Sequence, residues 1–378
     1  MRIVVASSSF PTCPDESVNA GVFVWAVTEV LAAQGHSVWV LTPDKGEPMR
    51  GFSVPIETFR WAGGEKVLTR LSPRRPLDLY RLGRLMLNGR SSLARLVGRV
   101  HAQAVLAMWA IPSGFWAVGS GVPFAVWALG SDIWGVGRYP LGKQIVQRVL
   151  QSAGHVFADG HNLIREINAM TGLHAEFLAS ARRLPVDSTP PASLGAGGPH
   201  FLFIGRWDRA KGPDVLLEAM ALVRKRLPDA RLHLFGGGDM VQWIHQRASQ
   251  PDLCDVVKLY GYADPSTATA YLKACDALVI PSRIESIPVI FSDALACSCP
   301  VVSTTVGDLE ELVRETKVGM LCPSDDRQAM ADAMVAIAIG DQPARIRYGA
   351  AINRAAMLFS PERSAKRCSE VLEELCRC

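Results

Sequence analysis

Residues 201–220 have the sequence FLFIGRWDRAKGPDVLLEAM. The apolar run Phe201–Ile204 is typical of a buried strand, and a helical pattern extends from about Pro213 to Leu227. Between them, Gly205 permits a sharp turn at the end of the strand. This strand–turn–helix order predicts a βαβ unit in a parallel sheet.

The same alternation extends over the rest of the chain. A first strand at Ile3–Val5 precedes a helical pattern from about residue 19 to Gln34. Further β-branched, apolar runs lie at residues 38–41, 231–235, 256–260, 277–280 and 300–303. Helical segments separate these runs, so we expect an α/β fold with two doubly wound, Rossmann-like domains facing a central cleft.

The domain boundaries follow from composition. Residues 189–199 are rich in Pro, Gly and Ser and lack periodicity, which is typical of a linker. We therefore predict an N-terminal domain over residues 1–188 and a C-terminal domain over residues 200–358. A final helix over residues 359–378 is expected to pack back on the N-terminal domain.

The chain has 378 residues and 41.0 kDa, which suits two domains. Its 49% hydrophobic content excludes a disordered protein. The start MRIVVASSSF is too short for a signal-peptide core, and no apolar stretch reaches the length of a membrane span. We expect a cytoplasmic protein. The nine cysteines show neither disulfide-framework nor zinc spacing, so no metal site is predicted.

Two cations mark a candidate anion site after the strand at 201–204. Arg206 and Lys211 lie on the loop that leads into the next helix. Because a helix N-terminus also attracts negative charge, a diphosphate is the natural occupant. A solvent-exposed basic loop without a ligand is the alternative.

A second candidate segment follows the strand at 277–280. Glu285 lies on its loop, and a helix is predicted to begin near Pro288. The amides of Val289 and Ile290 would then face an anion. Asp293 lies eight residues after Glu285, which predicts two carboxylates on one face that accept hydrogen bonds from sugar or ribose hydroxyls. A helix-start acid and a separate surface acid are the alternative.

These motifs together resemble a GT-B glycosyltransferase of family 4. The resemblance rests on Gly205-Arg206, Lys211-Gly212, Pro281-Ser282-x-x-Glu285 and Pro300–Ser303, and it extends over nearly the whole chain. It implies that a nucleotide-sugar donor binds in the second domain. The residues that it assigns to the donor are Gly21, Gly205, Arg206, Lys211, Gly261, Tyr262, Glu285, Ile287, Pro288, Val289, Ile290 and Asp293.

Within this set, the resemblance assigns catalytic roles to Arg206, Lys211 and Glu285. The two cations would clamp the diphosphate, and Glu285 would contact the donor sugar. Asp293 replaces the glutamate with which the family holds the ribose. Gly261 and Tyr262 match the position near which the family seats the base, although a packed aromatic is the alternative for Tyr262.

In the first half, Gly21 matches a family glycine at a helix N-terminus that faces the donor phosphate, with a plain tight turn as the alternative. The segment Leu129-Gly130-Ser131-Asp132 resembles a family segment that carries a histidine where this chain has Leu129. Leucine donates no hydrogen bond. Asp132 is the nearest ionisable residue, with helix capping as its alternative role.

Residues 68–101 form a strongly basic stretch with eight arginines, one acid and interleaved leucines. This pattern is suited to the surface of an anionic membrane, on the inner face of which the protein would lie peripherally. An ordinary pair of helices with solvated arginines is the alternative. Nucleic-acid binding is not expected, because the whole chain carries only +4 and lacks a DNA-binding motif.

The resemblance implies a metal-independent, retaining glycosyltransferase with a saccharide or lipid-linked acceptor and no cofactor apart from its donor. Polysaccharide, lipopolysaccharide or glycolipid synthesis is the expected setting. Two alternatives remain: a sugar-nucleotide epimerase with this fold, and a degenerate subunit that binds nucleotide without turnover. Leu129 and Asp293 are the departures from the family pattern that keep the degenerate subunit open.

Overall fold

The structure is a computed structural model that describes residues 1–14, 21–63, 75–137, 139–195 and 197–377. It divides into two compact units. The first unit contains residues 1–182 and 361–378, and the second contains residues 183–360. Part of two predictions lies outside the described residues: the start of the helix predicted from residue 19, and residues 68–74 of the basic stretch.

The first unit is built on a sheet of parallel strands in the order β3-β2-β1-β4-β5-β6-β7. The strands are β1 (Arg2–Ser7), β2 (Ser37–Pro43), β3 (Ile56–Phe59), β4 (Ala104–Met108), β5 (Phe124–Ala128), β6 (His155–Ala158) and β7 (Glu176–Phe177). The helices between them are α1 (Val22–Ala33), α2 (Pro76–Val100), α3 (Phe115–Ala117), α4 (Pro140–Ser152) and α5 (His161–Thr171). A π-helical turn follows β5 at Ser131–Val136, whereas the segment Ala110–Gly114 after β4 is interrupted at Ile111, which has extended backbone angles (φ −129°, ψ 128°).

The second unit repeats this design with strand order β10-β9-β8-β11-β12-β13. Its strands are β8 (His200–Arg206), β9 (Arg231–Gly237), β10 (Val257–Tyr260), β11 (Ala277–Ile280), β12 (Val301–Thr304) and β13 (Gly319–Cys322). Its helices are α6 (Pro213–Arg226), α7 (Val241–Ala248), α8 (Pro265–Ala274), α9 (Val289–Ala296), α10 (Leu309–Thr316), α11 (Arg327–Ala338) and α12 (Ala344–Ala356).

In each sheet the chain first adds strands toward one edge and then crosses over to add the rest toward the other edge. This reversal of strand order lies between β1 and β4 in the first sheet and between β8 and β11 in the second. In doubly wound sheets, ligands bind at the carboxyl ends of the strands beside this reversal. All residues of β4 and β5 are buried, as expected for central strands covered by helices on both faces. The prediction of an α/β fold with two Rossmann-like domains is confirmed.

The chain returns to the first unit through the last helix, α13 (Pro361–Arg377). Leu372 is fully buried in the cluster that contains Val5 and Leu31 of the first unit. The Arg367 guanidinium binds both carboxylate oxygens of Glu176, at 2.7 and 3.1 Å. This helix therefore completes the apolar cover of one face of the first sheet.

Along the chain, the first unit ends at Arg182 and the second begins at Arg183. The sequence predicted a domain end at residue 188 and a linker over 189–199. Residues of that segment are bonded to the second unit, since Lys273 Nζ donates to the carbonyl of Thr189 at 2.7 Å. In the part of the basic stretch that the structure describes, residues 76–100 form one long helix, α2. No helix among the described residues has both the length and the hydropathy needed to cross a membrane.

Candidate functional site

The two predicted cations lie at and after the end of β8: Arg206 is the last residue of the strand, and Lys211 lies on the loop between β8 and α6. Gly205 and Arg206 still belong to β8, paired with Gly236 and Gly237, so the predicted turn at Gly205 is wrong. The left-handed residue of this loop is Gly212, with φ +68° directly before α6. A Cβ there would lie 2.1 Å from the carbonyl oxygen of Pro281, so the absence of a side chain lets this loop contact the next one.

Arg206 and Lys211 differ in environment. The Arg206 side chain is 69% exposed, and its Nη1 lies 3.4 Å from Asp208 Oδ2. Lys211 is largely buried and forms an ion pair with the Oε2 atom of Glu285. The structure therefore brings together the predicted cation of one loop and the predicted carboxylate of the other. Together they present an exposed guanidinium and a fixed ammonium beside the strand reversal.

The loop after β11 leads from Glu285 into α9. Pro288 is the N-cap residue, and α9 begins at Val289, as predicted. Ile287 is buried, while Val289 and Ile290 are half-buried at the first turn. The helix cannot bond the first amides of this turn internally, so their N–H groups are available to an anion.

Asp293 and Glu285 do not share a helix face, which corrects the predicted spacing. Glu285 lies on the loop, four residues before α9 begins, and only Asp293 is helical. Asp293 is 1% exposed, so its side chain is buried. The i, i+8 spacing assumed one continuous helix, and Pro288 places the helix start between the two residues.

Gly307 and Asp308 contact the loop of Glu285, and neither residue was predicted from the sequence to belong to the site. Gly307, which follows β12, has φ +53°, and a Cβ on it would lie 1.9 Å from the Glu285 carbonyl oxygen. Ser286 Oγ lies 3.0 Å from Oδ2 of the buried Asp308. The sequence signal was available as a Gly-Asp pair at the end of a strand.

The predicted base-side residues lie after β10. Tyr262 is 57% exposed, and its hydroxyl donates to the Gly237 carbonyl at 3.1 Å. The Gly261 carbonyl accepts from the Gly236 amide at 3.1 Å. The exposed ring of Tyr262 is therefore held against Gly237 of the glycine-rich turn instead of being packed in the core.

A buried polar chain lies directly behind this loop. Tyr260 Oη is 3.2 Å from His233 Nδ1, and His233 Nε2 is 3.0 Å from His200 Nδ1. Burial and the neighbouring imidazole of His200 lower the pKa of His233 to about 4. Both rings are then neutral at pH 7, and the three side chains form one continuous hydrogen-bonded chain. This chain stabilises the residues next to Gly261.

Residues 198–338, which include the loops after β8 and β11, match the family model described as Glycosyl transferases group 1. The resemblance to a GT-B glycosyltransferase that the motifs indicated is confirmed.

Comparison with solved structures over the full length of the chain supports the fold. Sucrose-phosphate synthase from Thermosynechococcus elongatus superposes with a TM-score of 0.78 at 20% identity, over 99% of this chain and 98% of that one. Anabaena Alr3699/HepE, in complex with UDP, superposes with a TM-score of 0.74 at 15% identity, over 99% of this chain and 100% of that one.

Sequence similarity to curated relatives is partial. A D-inositol 3-phosphate glycosyltransferase of Jonesia denitrificans is 31% identical over 179 residues. The match includes 46% of this chain and 42% of the relative. The chain therefore spans less than half the length of this curated relative.

In the first unit, the position of Gly21 has no room for a side chain. A Cβ on this N-cap residue of α1 would lie 2.3 Å from the Ser9 carbonyl oxygen, although its φ of −84° suits any residue. The glycine therefore lets the loop after β1 lie against the start of α1. Glycine is therefore required here by the contact with Ser9 and not by the backbone angles of a tight turn.

Leu129 and Asp132 lie at the carboxyl end of β5. Leu129 is half-buried and packs against an apolar cluster of the first unit. Asp132 is buried, and its carboxylate accepts the amides of Ala110 at 2.6 Å, Ile133 at 3.2 Å and Leu129 at 3.3 Å. Burial raises the pKa of Asp132 to about 6 although these amides lower it. Asp132 thus joins the turns after β4 and β5, and Gly130 rather than Asp132 is the cap of the second turn.

Among the described residues, no group of three or more His, Cys, Asp or Glu side chains is placed to hold a metal ion.

Proposed function

We propose that the chain is a glycosyltransferase that moves a sugar from a nucleotide-sugar donor to a hydroxyl acceptor. The observation that carries the proposal is the ion pair of Lys211 and Glu285, which joins the two loops that follow β8 and β11, with Arg206 at the end of β8. These loops flank the reversal of strand order, where doubly wound sheets bind ligands. They also lie inside the segment that matches the family model.

The charges of this site suit a departing diphosphate. Negative charge develops on that group in an oxocarbenium-like transition state, so fixed cations stabilise the transition state more than the ground state. Arg206 and Lys211 would supply these cations, and the first amides of α9 would add their dipoles. The ion pair holds Lys211 in place before a ligand binds, which lowers the entropy cost of binding.

The remaining donor contacts follow the same placement. Glu285 would accept hydrogen bonds from the donor sugar, and the exposed ring of Tyr262 would stack on the base. The UDP bound in Anabaena Alr3699/HepE makes a nucleoside diphosphate the first ligand to test. Asp293 would reach a ribose only if its carboxylate becomes exposed when the donor binds.

The stereochemical proposal is retention by a family 4 mechanism without a metal. In that scheme the leaving phosphate takes the acceptor proton, so the reaction needs no protein base at the position of Leu129. The buried Asp132 is engaged by three backbone amides and is not part of this proposal.

An anionic membrane is the proposed location of the acceptor, which would be lipid-linked. The outward face of α2 carries four side chains that are each more than half exposed: Leu77, Leu79, Tyr80 and Leu87. Exposed arginines flank them at positions 75, 84, 90, 95 and 99. Apolar side chains among arginines match the headgroup region of an anionic bilayer.

Vesicle co-sedimentation tests the membrane contact. We expect the wild type to bind phosphatidylglycerol vesicles and not phosphatidylcholine vesicles. The double substitution Leu79→Ser, Leu87→Ser should weaken binding, whereas Leu141→Ser, at another exposed leucine of the first unit, should not. Equal binding of all three proteins would refute this role for α2.

Donor turnover tests the transferase itself. UDP-, GDP- and ADP-linked sugars would be incubated with the wild type and with Lys211→Met, with and without EDTA, and product anomers followed by NMR. We expect release of one nucleoside diphosphate, first-formed sugar of retained configuration, no effect of EDTA, and a large loss in Lys211→Met. An altered sugar still attached to its nucleotide would favour the epimerase, and nucleotide binding without turnover would favour the degenerate subunit.

A further inference from the structure

Arg283 lies on the loop after β11, two residues before Glu285, and its guanidinium is occupied by protein groups. Nη1 and Nη2 each donate to one carboxylate oxygen of Asp214 at 2.8 Å. Nη1 also donates to the Arg209 carbonyl at 2.7 Å, and Nε donates to Asp325 Oδ1 at 2.6 Å. The side chain is only 19% exposed. Its donors are therefore directed into the protein and not toward an anionic ligand.

The backbone of Arg283 makes a second attachment to the same neighbouring loop. Its amide donates to the Ala210 carbonyl at 2.8 Å. Arg209 and Ala210 lie between the two predicted diphosphate ligands, Arg206 and Lys211. The side chain and the amide of Arg283 thus bind adjacent carbonyls of the loop that carries Lys211.

These attachments set the distance between the paired charges. Lys211 directly follows Ala210, and Glu285 lies two residues after Arg283 in the opposing loop. A rigid guanidinium fork holds Asp214 in two parallel bonds, which a lysine ammonium cannot reproduce. Asp214 lies in the first turn of α6, so the fork also fixes the helix that follows Lys211.

We propose that Arg283 is a positioning residue of the donor site. It holds the loop of Lys211 against the loop of Glu285 and so presets the ion pair before the donor binds. The part of this inference that concerns the donor rests on the proposed function. The part that concerns the two loops is independent of any ligand.

The chain offers a matched control in Arg247 of α7. Arg247 donates to both oxygens of Glu218 on α6 and to both oxygens of Asp252, and its side chain is 17% exposed. Arg283 and Arg247 therefore each join a carboxylate of α6 to a second acidic residue, and the two arginine side chains are buried to a similar extent. Only Arg283 is bonded to the loop that carries Lys211.

The experiment compares the wild type with Arg283→Met, Arg283→Lys and Arg247→Met. Hydrogen exchange of peptides spanning residues 205–212 and 281–288 reports the loops without a ligand. Isothermal titration with UDP, GDP and ADP reports the donor site. We expect Arg283→Met to lose protection in both loops and to bind the preferred nucleotide about tenfold more weakly. Arg283→Lys should restore little, and Arg247→Met should match the wild type in both readouts while losing similar thermal stability.

Unchanged protection of both loops in Arg283→Met would overturn the proposal, as would equal effects of Arg283→Met and Arg247→Met. Full nucleotide affinity in Arg283→Met would also overturn it. If the folded wild type binds none of the three nucleotides, the proposed function fails and the donor-site role fails with it. Hydrogen exchange then still decides whether Arg283 holds the two loops together.

Discussion

The substitution Gly212→Ala tests how closely the two donor loops contact each other. Gly212 combines φ +68° with a Cβ position 2.1 Å from the Pro281 carbonyl oxygen. A left-handed alanine costs about 1 kcal/mol relative to glycine. The overlap with a backbone oxygen forces a loop to move, which adds about 1–3 kcal/mol. We therefore expect Gly212→Ala to lower the free energy of unfolding by about 2–4 kcal/mol.

Gly195→Ala is the control because Gly195 has φ +87°, lies in the same unit and has no neighbour within 4 Å of its Cβ position. It should show only the conformational cost of about 1 kcal/mol. Urea unfolding followed by tryptophan fluorescence gives both values at equal slope m. If Gly212→Ala is no less stable than Gly195→Ala, the close contact between the loops is refuted.

Two further predictions concern the first unit. Gly21→Ala should lower its stability by about 2 kcal/mol through collision with Ser9, whereas Gly83→Ala, in the open middle of α2, should raise it by about 0.5–1 kcal/mol; opposite shifts of the melting temperature check this, and shifts of the same sign contradict it. Asp132 has a folded pKa of about 6, raised by burial, so the folded state holds its proton more tightly than the unfolded chain does. The stability that it contributes is complete below its ordinary pKa and declines as pH rises through about 6. Asp132→Asn should remove a decline of about 2 kcal/mol between pH 4.5 and 7.5, measured by calorimetry. Parallel pH profiles of the two proteins would contradict this.

The parallel sheets could be predicted from the sequence because strands buried on both faces are continuous apolar runs. Residues 277–280 show this in full, since the predicted run and β11 coincide. The residue classes at the strand ends were also informative, because carboxyl ends of neighbouring parallel strands lie on one edge. This is why Lys211 and Glu285, 74 residues apart, could be assigned to one site.

Contacts between loops could not be derived from local patterns. Arg283 resembles any solvated arginine until its loop is placed beside Asp214. Asp293 and Glu285 were placed on one face because helical spacing was applied across the loop, although the helix start predicted at Pro288 lies between them. The turn was predicted at Gly205 but occurs at Gly212. Strand β8 continues through Gly205, where it pairs with Gly236 of β9, another residue without a side chain.

Nucleotide titration tests the central claim that the loops after β8 and β11 form a diphosphate site. UDP, GDP and ADP would be titrated against the wild type, the double variant Arg206→Met, Lys211→Met, and the control Arg314→Met on α10, an exposed arginine paired with Glu310. Two lost charged hydrogen bonds should weaken binding by about a hundredfold or more. We predict that one nucleotide binds the wild type and the control with equal affinity. It should bind the double variant at least about a hundredfold more weakly. Equal affinity for all three proteins, or no binding to a folded wild type, would contradict the claim.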